Sequence, residues 1–163
     1  MQPEDQRDHM PRYTVIPRTL VFLTRDNQVL LLHGAASKRL WAGKYNGLGG
    51  HIERGESPYQ AALREVQEEA GLAVQQLSLR AAVHITLPEP PGVMLFVFVG
   101  EAPTGEPRPS LEGTPTWVTR KALYNLPLVE DLPQLLPHVL EGGEAPVFAH
   151  YHFTSEGLCI TFD

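Results

Sequence analysis

The segment over residues 50–72 constrains this chain more than any other stretch, because it combines helix signals with a fixed pattern of charges. Ser57 is a good N-cap, Pro58 is tolerated in a first turn and Gly71 is a common helix stop, so residues 58–70 are expected to be helical. At about 100° per residue, the carboxylates of Glu65, Glu68 and Glu69 fall next to an apolar side of this helix. The segment therefore predicts an amphipathic helix with one strongly acidic face.

That acidic face indicates a bound cation. Like charges three and four residues apart repel each other and weaken a helix. A hard divalent ion removes this cost, because Mg²⁺ and Mn²⁺ are bound by clustered carboxylate oxygens. The alternative is an ordinary solvated acidic face, and a bare E-x-x-E-E pattern by itself favours that alternative.

A metal-bound glutamate cluster is typical of phosphoanhydride hydrolysis. Bound Mg²⁺ or Mn²⁺ neutralises phosphate oxygens and lowers the pKa of a bound water. A spare carboxylate, from Glu65 or Glu68, can serve as general base, and Arg64 orients a glutamate through a guanidinium–carboxylate pair. The pattern leaves open which glutamate is the base, since loop Glu112 competes with the two helical residues.

Composition narrows the class of protein. With 163 residues, 42% hydrophobic and 20% charged, the chain is typical of one soluble globular domain. A net charge of −6 argues against non-specific binding to nucleic-acid polymers or membrane surfaces. No apolar run approaches the roughly 20 residues needed to span a bilayer. The single cysteine, Cys159, excludes an internal disulfide and favours a cytoplasmic setting.

The remaining patterns predict a mixture of strands and helices. Apolar runs at residues 19–24 and 29–33 form a hairpin, and the last residues form another. A second helix is expected over residues 132–141, with Asp131 as its N-cap and with Pro137 kinking or shortening it. We expect an α+β fold in which a mixed β-sheet packs between helices. Residues 1–12 are expected to be a flexible segment, and residues 13–163 a single domain.

A loop of small, basic and aromatic residues precedes the acidic helix. Lys38 and Lys44 are either part of a solvated loop or contacts for a phosphate or base, because loops on a rigid scaffold commonly carry binding groups. Asn46 is a candidate base contact, since a carboxamide both donates and accepts hydrogen bonds. Gly49 permits close backbone approach, so its carbonyl is a candidate metal ligand.

The whole spacing, from Gly50 through Glu56 to Arg64 and its neighbours and on to Gly71, resembles the Nudix box. This resemblance implies an α/β/α sandwich and Mg²⁺-dependent hydrolysis of a nucleoside diphosphate linked to another moiety. It implies a structural role for Gly50, Glu56 and Gly71, with Arg64 supporting the loop and helix. The residues that it implies as metal ligands and base are Gly49, Glu65, Glu68 and Glu69.

A narrower similarity, to the MutT-type oxidised-purine nucleoside triphosphate pyrophosphohydrolases, extends beyond the box. The run at residues 44–51, KYNGLGGH, resembles a loop of those enzymes. The similarity implies that Glu112, five residues before Trp117, is a further metal ligand, and that Asp131 is the first of two base-reading aspartates. The second aspartate has no counterpart, since Leu132 follows Asp131 and Glu130 precedes it. That departure puts the base preference in doubt.

The expected activity is therefore hydrolysis of 8-oxo-dGTP or a similar nucleotide to a nucleoside monophosphate and pyrophosphate. Two other interpretations stay open. One is a hydrolase for ADP-ribose or dinucleoside polyphosphates, and the other is a nucleotide-binding module without catalysis. The intact Glu65, Glu68 and Glu69 argue against the second. A nucleotide is the expected partner, and the protein is expected to be a monomer or homodimer.

Overall fold

The computed structural model describes residues 12–37 and 40–163. Apart from Arg12, the expected flexible segment over residues 1–12 lies outside the described residues. The described chain forms eight strands, two α-helices and a 3-10 helix. The strands are β1 (Val15–Arg25), β2 (Gln28–Gly34), β3 (Tyr45–Asn46), β4 (Ser78–Thr86), β5 (Gly92–Glu101), β6 (Gly113–Thr119), β7 (Val147–Thr154) and β8 (Gly157–Phe162). The helices are α1 (Pro58–Ala70), α2 (Leu132–Glu141) and the 3-10 helix Arg120–Asn125.

All eight strands belong to one mixed sheet. Its order is β3-β2-β1-β5-β4-β7-β8, with β6 paired to β2 outside this path. β1 pairs with β5 and β4 pairs with β7 in parallel, whereas the other pairs are antiparallel. The predicted β1–β2 and β7–β8 hairpins are confirmed.

The sheet has a helix on each face. Side chains alternate along β1, so Val21 and Leu23 pack in the cluster that contains α1, and Leu20 and Phe22 in the cluster that contains α2. All four are buried, as expected for a strand covered on both faces. The expected α+β fold, an α/β/α sandwich with a mixed sheet between helices, is confirmed.

Helix α1 has the predicted bounds and caps. Ser57 accepts a hydrogen bond from Gln60 N, and the Gln60 side chain accepts one from Ser57 N, which makes a capping box. Gly71 ends the helix in the left-handed conformation, at φ 69°. Four small apolar residues on the inner side of the helix are buried: Ala61, Ala62, Val66 and Ala70.

Helix α2 has the predicted bounds and the predicted N-cap residue, and it departs from the sequence prediction at Pro137. Its bounds are as predicted, but Pro137 does not shorten it, because Leu132, Leu135, Leu136 and Val139 are all buried against the sheet and hold the helix in place. Asp131 takes the predicted N-cap position, but its side chain makes no capping hydrogen bond. Its backbone is already helical, at φ −84° and ψ −24°, whereas a capping residue is usually extended.

The chain between β3 and α1 lies beside the first half of β1. Val21 N donates to Leu48 O at 2.7 Å, and Thr19 N donates to Gly50 O at 2.9 Å. These bonds fix the backbone at residues 48–50 between β1 and the helix that carries the glutamates. The fold thereby brings the glycine end of the motif against its acidic end.

Among residues 12–37 and 40–163, no helix is both long enough and apolar enough to cross a membrane.

Replacing the helix cap tests the local account of α1. Ser57→Ala removes one half of the capping box and is expected to cost about 1 kcal/mol. For a chain of this size, that cost lowers the thermal midpoint by about 2–4 °C, measured by circular dichroism. Ser155→Ala, at an exposed turn between β7 and β8, is the matched control and should leave the midpoint unchanged. Equal midpoints for Ser57→Ala and wild type would contradict the account.

Candidate active site

The Arg64 guanidinium connects the loop and the helix of the motif. Its Nε and Nη2 donate to the two oxygens of Glu56 at 3.1 and 2.7 Å, a bidentate pair. Nη1 donates to Glu65 Oε1 at 2.8 Å and to Glu68 Oε2 at 3.1 Å. Nη2 also donates to the His51 carbonyl at 3.0 Å. One side chain therefore fixes two helical glutamates, a loop glutamate and the backbone just after Gly50.

The charges of this network reinforce each other. The hydrogen bond from Arg64 holds the pKa of Glu56 below its usual range, and the bond from Glu53 N adds to this effect. The same carboxylate raises the pKa of Arg64, and Glu65 raises it further. Glu56 and Arg64 therefore each stabilise the charged form of the other, which suits the supporting role predicted for them.

Two glycines are needed for steric reasons. A Cβ on Gly50 would lie 2.4 Å from Glu65 Oε1, so any side chain there would displace that carboxylate. Gly49 has φ 148°, and a Cβ on it would lie 2.2 Å from the Thr19 carbonyl oxygen. Gly49 N donates to Glu69 Oε2 at 2.7 Å, and Glu69 is only 4% exposed. The glycines thus let the backbone reach two of the helical carboxylates.

The predicted metal ligands line one cavity of about 860 Å³. Glu112 reaches it from the loop before β6, where Ala35 N donates to the Glu112 carbonyl at 3.1 Å. Arg18, Trp41 and Arg64 are also in its wall. Five candidate metal ligands line this cavity, namely the carboxylates of Glu65, Glu68, Glu69 and Glu112 and the backbone carbonyl of Gly49.

This donor set fits a hard divalent cation, because it consists of carboxylate and carbonyl oxygens. In the side-chain conformations of the structure, no group of three or more His, Cys, Asp or Glu among the described residues is arranged to hold a metal ion. Arg64 gives a physical reason, since its Nη1 binds the Glu65 and Glu68 carboxylates. These bonds use Glu65 Oε1 and Glu68 Oε2, so the other oxygen of each carboxylate is available to a cation bound beside Arg64.

A second, largely apolar cavity of about 670 Å³ adjoins the first. Its apolar walls come from β1, β2, β5 and the β7–β8 hairpin, with Leu20, Leu32, Leu95 and Phe153 among them. Lys44, Asn46 and Asp131 lie in its wall, so the fold brings together the three described residues that were predicted to bind substrate. The fourth, Lys38, lies outside the described residues.

The polar groups of this cavity are partly engaged with each other. Lys44 Nζ donates to Glu130 Oε1, and this bond lowers the pKa of Glu130. Asn46 Oδ1 accepts from Gly47 N at 2.8 Å, which orients the carboxamide. The sequence did not indicate a role for Glu130, which precedes Asp131 where the resemblance offers no second aspartate. In the structure, Glu130 lines the cavity beside Asp131.

Asp131 is half-buried and lies in the wall of the apolar cavity. Burial raises its pKa, and the neighbouring charge of Glu130 raises it further. Tyr151 lies close to it, with a buried hydroxyl that is not aligned for a direct hydrogen bond. Burial raises the pKa of Tyr151, and Asp131 raises it further. Asp131 therefore keeps its proton to a higher pH than a solvated aspartate, while Glu130 stays charged.

Several cavity residues were not found from the sequence. Arg18, Trp41, Glu130 and Tyr151 lie in the cavity walls. Trp41 belongs to the loop of small, basic and aromatic residues, where its backbone is left-handed at φ 59° and the residue is 40% exposed. Arg18, a charge within the strand β1, was the one signal that could have been followed.

Comparison with known proteins identifies the family. Residues 15–139 match the NUDIX domain. An oxidized purine nucleoside triphosphate hydrolase of Mus musculus is 33% identical over 145 residues, which are 88% of this chain and 90% of that protein. The protein of the same name in Danio rerio is 36% identical over 100 residues, 61% of this chain and 63% of that protein, so less than two thirds of its length is spanned. The chain belongs to the NUDIX family and is a Nudix hydrolase.

A solved structure gives the same result for the fold. The crystal structure of a MutT protein from Bacillus halodurans superposes with a TM-score of 0.79 at 25% identity, covering 91% of this chain and 98% of that one.

The two adjacent carboxyls predict opposite effects of pH on stability. The pKa of Asp131 is raised from 3.8, so its contribution to stability is full below that value and is lost as pH rises. The pKa of Glu130 is lowered from 4.5, so its contribution is present above that value and is lost as pH falls. Asp131→Asn should therefore gain stability relative to wild type as pH rises, whereas Glu130→Gln should lose it.

Thermal midpoints of wild type, Asp131→Asn and Glu130→Gln, taken from about pH 3 to pH 7, give both differences. Each variant serves as the control for the other, since the substitutions are isosteric and adjacent. Two differences that change in the same direction with pH would contradict the assignment of opposite pKa shifts.

Proposed function

We propose that this protein is a Mg²⁺- or Mn²⁺-dependent nucleoside triphosphate pyrophosphohydrolase that prefers an oxidised purine such as 8-oxo-dGTP. The products are a nucleoside monophosphate and pyrophosphate. One observation carries the proposal: an acidic cavity and a largely apolar cavity share a wall. Phosphates with their metal ions suit the first cavity, and a purine base suits the second.

The residues of the acidic cavity would hold the cation through the Gly49 carbonyl and the carboxylates of Glu65, Glu68, Glu69 and Glu112. Bound Mg²⁺ or Mn²⁺ would supply charge neutralisation at the phosphates and a lowered pKa for a water. Glu65 or Glu68 would serve as general base towards the attacking water, and coupled carboxylates of this kind share their protons. Arg64 positions both glutamates, because its Nη1 donates to each of them.

The apolar cavity offers a purine edge both kinds of hydrogen-bonding group. Burial raises the pKa of Asp131, and its carboxyl accepts hydrogen bonds when it is ionised and also donates one when it is protonated. Asn46 is oriented by the bond from Gly47 N to its Oδ1, which leaves its amide NH₂ as a donor. Glu130 and Lys44, paired with each other, add charge at the rim. The relatives from Mus musculus and Danio rerio are named oxidized purine nucleoside triphosphate hydrolases, and this supports an oxidised purine as the base.

The net charge of −6 favours a nucleotide over a nucleic-acid polymer as the substrate, since metal ions neutralise only a short phosphate chain. We expect a cytoplasmic monomer or homodimer.

A nucleotide panel tests the substrate. Pyrophosphate and phosphate release is measured with Mg²⁺ or Mn²⁺ on 8-oxo-dGTP, dGTP, 2-hydroxy-dATP, ADP-ribose and diadenosine polyphosphates. 8-oxo-dGTP is expected to lead in kcat/KM by about tenfold or more, which is about 1.4 kcal/mol of discrimination. A lead by ADP-ribose or a dinucleotide would overturn the substrate but leave the hydrolytic mechanism in place.

Catalysis is tested on the best substrate of the panel. Glu69→Gln keeps the shape and the acceptor for Gly49 N but loses the charge, and it is expected to lower kcat by about 10²- to 10⁴-fold. Glu141→Gln, an exposed glutamate at the end of α2, is the matched control and should not change kcat. Unchanged turnover by Glu69→Gln would refute the mechanism, and no turnover by wild type would favour a binding module.

A further inference from the structure

Arg18 lies where the two cavities meet. It belongs to β1 and is partly buried, and it lines both the acidic and the apolar cavity. Among the described residues, six line both cavities, and Arg18 is the sole cation of this shared wall. The six are Arg18, Leu40, Trp41, Gly49, Gly50 and Glu69.

His51 holds the Arg18 guanidinium in this position. The two residues form an isolated antiparallel bridge next to the bond from Thr19 N to Gly50 O. Arg18 Nη2 lies 3.0 Å from His51 Nε2. Because a guanidinium only donates, the imidazole accepts at Nε2 and carries its proton on Nδ1. Arg18 is thereby fixed by a ring that does not neutralise its charge.

The other cations of the two cavities are already neutralised. Arg64 donates to Glu56, Glu65 and Glu68, and Lys44 donates to Glu130. By contrast, none of the described ion pairs includes Arg18, and its Nε is buried without a hydrogen-bond partner. Nη1 also has no hydrogen-bond partner among the described residues, so the guanidinium keeps a donor for an acceptor from outside.

We propose that Arg18, positioned by His51, binds the phosphate group attached directly to the nucleoside. This inference rests on the proposed function, because it assumes a base in the apolar cavity and the remaining phosphates in the acidic one. The phosphate next to the nucleoside must then cross the shared wall, where the guanidinium lies. Arginine suits this role, since its planar fork of donors matches phosphate oxygens.

Arg18 is consequently expected to contact only ligands that place a phosphate next to a nucleoside at the shared wall. A nucleoside monophosphate has both the base and the adjacent phosphate, whereas a nucleoside lacks the phosphate and pyrophosphate lacks the base. Loss of the guanidinium should weaken only the first of these three ligands strongly.

Calorimetric titration with three probes tests the inference: dGMP, deoxyguanosine and inorganic pyrophosphate. Arg18→Gln should weaken dGMP binding by about 10- to 100-fold, the loss expected for a hydrogen bond to a charged group. Deoxyguanosine and pyrophosphate should keep their wild-type affinities. Arg18→Lys, which keeps the charge but loses the fork, should fall between wild type and Arg18→Gln. Lys121→Gln, an exposed charge on the 3-10 helix, is the matched control.

His51 is a positioning residue, so its variants are expected to change KM and not kcat. His51→Leu removes the acceptor and should raise KM for the nucleoside triphosphate with little change in kcat. His51→Gln restores an acceptor and should recover part of the lost affinity. Equal KM values for these two variants would contradict the positioning role.

The outcomes separate the inference from the function on which it rests. A wild-type protein that hydrolyses nucleoside triphosphates, beside an Arg18→Gln variant with unchanged dGMP affinity and thermal midpoint, overturns the inference alone. Equal weakening of dGMP and pyrophosphate also overturns it, because Arg18 is then a general anion contact. A wild type that neither hydrolyses the nucleotide panel nor binds dGMP overturns the proposed function and the inference with it.

Discussion

The hydrogen bonds of the Arg64 guanidinium hold the candidate active site together. Glu65 and Glu68 lie on one face of α1, where two carboxylates would repel each other, and the Arg64 Nη1 between them offsets that repulsion. The remaining donors of Arg64 fix Glu56 and the His51 carbonyl, so the loop before the helix cannot move independently. The Arg64 guanidinium therefore supplies part of the positive charge that the acidic face needs, and a bound cation would add to it.

The backbone at residues 48–51 links this network to the rest of the fold. It pairs with β1 on one side and meets Glu65 and Glu69 on the other, which is why Gly49 and Gly50 tolerate no side chain. The same stretch separates the acidic cavity from the apolar one, with Arg18 and Trp41 completing the wall. The position of residues 48–51 thus separates the proposed phosphate site from the proposed base site.

Features determined by neighbours in sequence were predictable. The bounds of α1, its cap at Ser57 and its end at Gly71 depend on local preferences, and the glutamate face follows from helical geometry. The burial of Glu69 was not predictable, because it results from the bond to Gly49 N, twenty residues earlier. Asp131 takes the predicted N-cap position, but the absence of its capping hydrogen bond was not predictable. Its side chain lies in the cavity near Tyr151, and the local sequence records neither of these surroundings.

The apolar cavity shows more clearly that contacts between distant residues could not be predicted from the sequence. Lys44 and Glu130 are 86 residues apart, and their pairing depends on β3 lying beside the chain that leads into α2. The motif resemblance placed Lys44, Asn46 and Asp131 among the substrate contacts, but only the fold brings them to one cavity. Arg18 and His51 meet through strand pairing alone. Contacts of this kind carry no sequence periodicity, so they require the three-dimensional arrangement.

Direct measurement of cation binding tests the central claim that the acidic face of α1 is a metal site. Mn²⁺ is titrated into the protein, and the free ion is followed by its electron paramagnetic resonance signal, for wild type, Glu65→Gln and Glu141→Gln. The account predicts that wild type and Glu141→Gln bind Mn²⁺ alike, and that Glu65→Gln binds it at least about tenfold more weakly. Equal Mn²⁺ affinity in wild type and Glu65→Gln, or no binding to wild type, would contradict it.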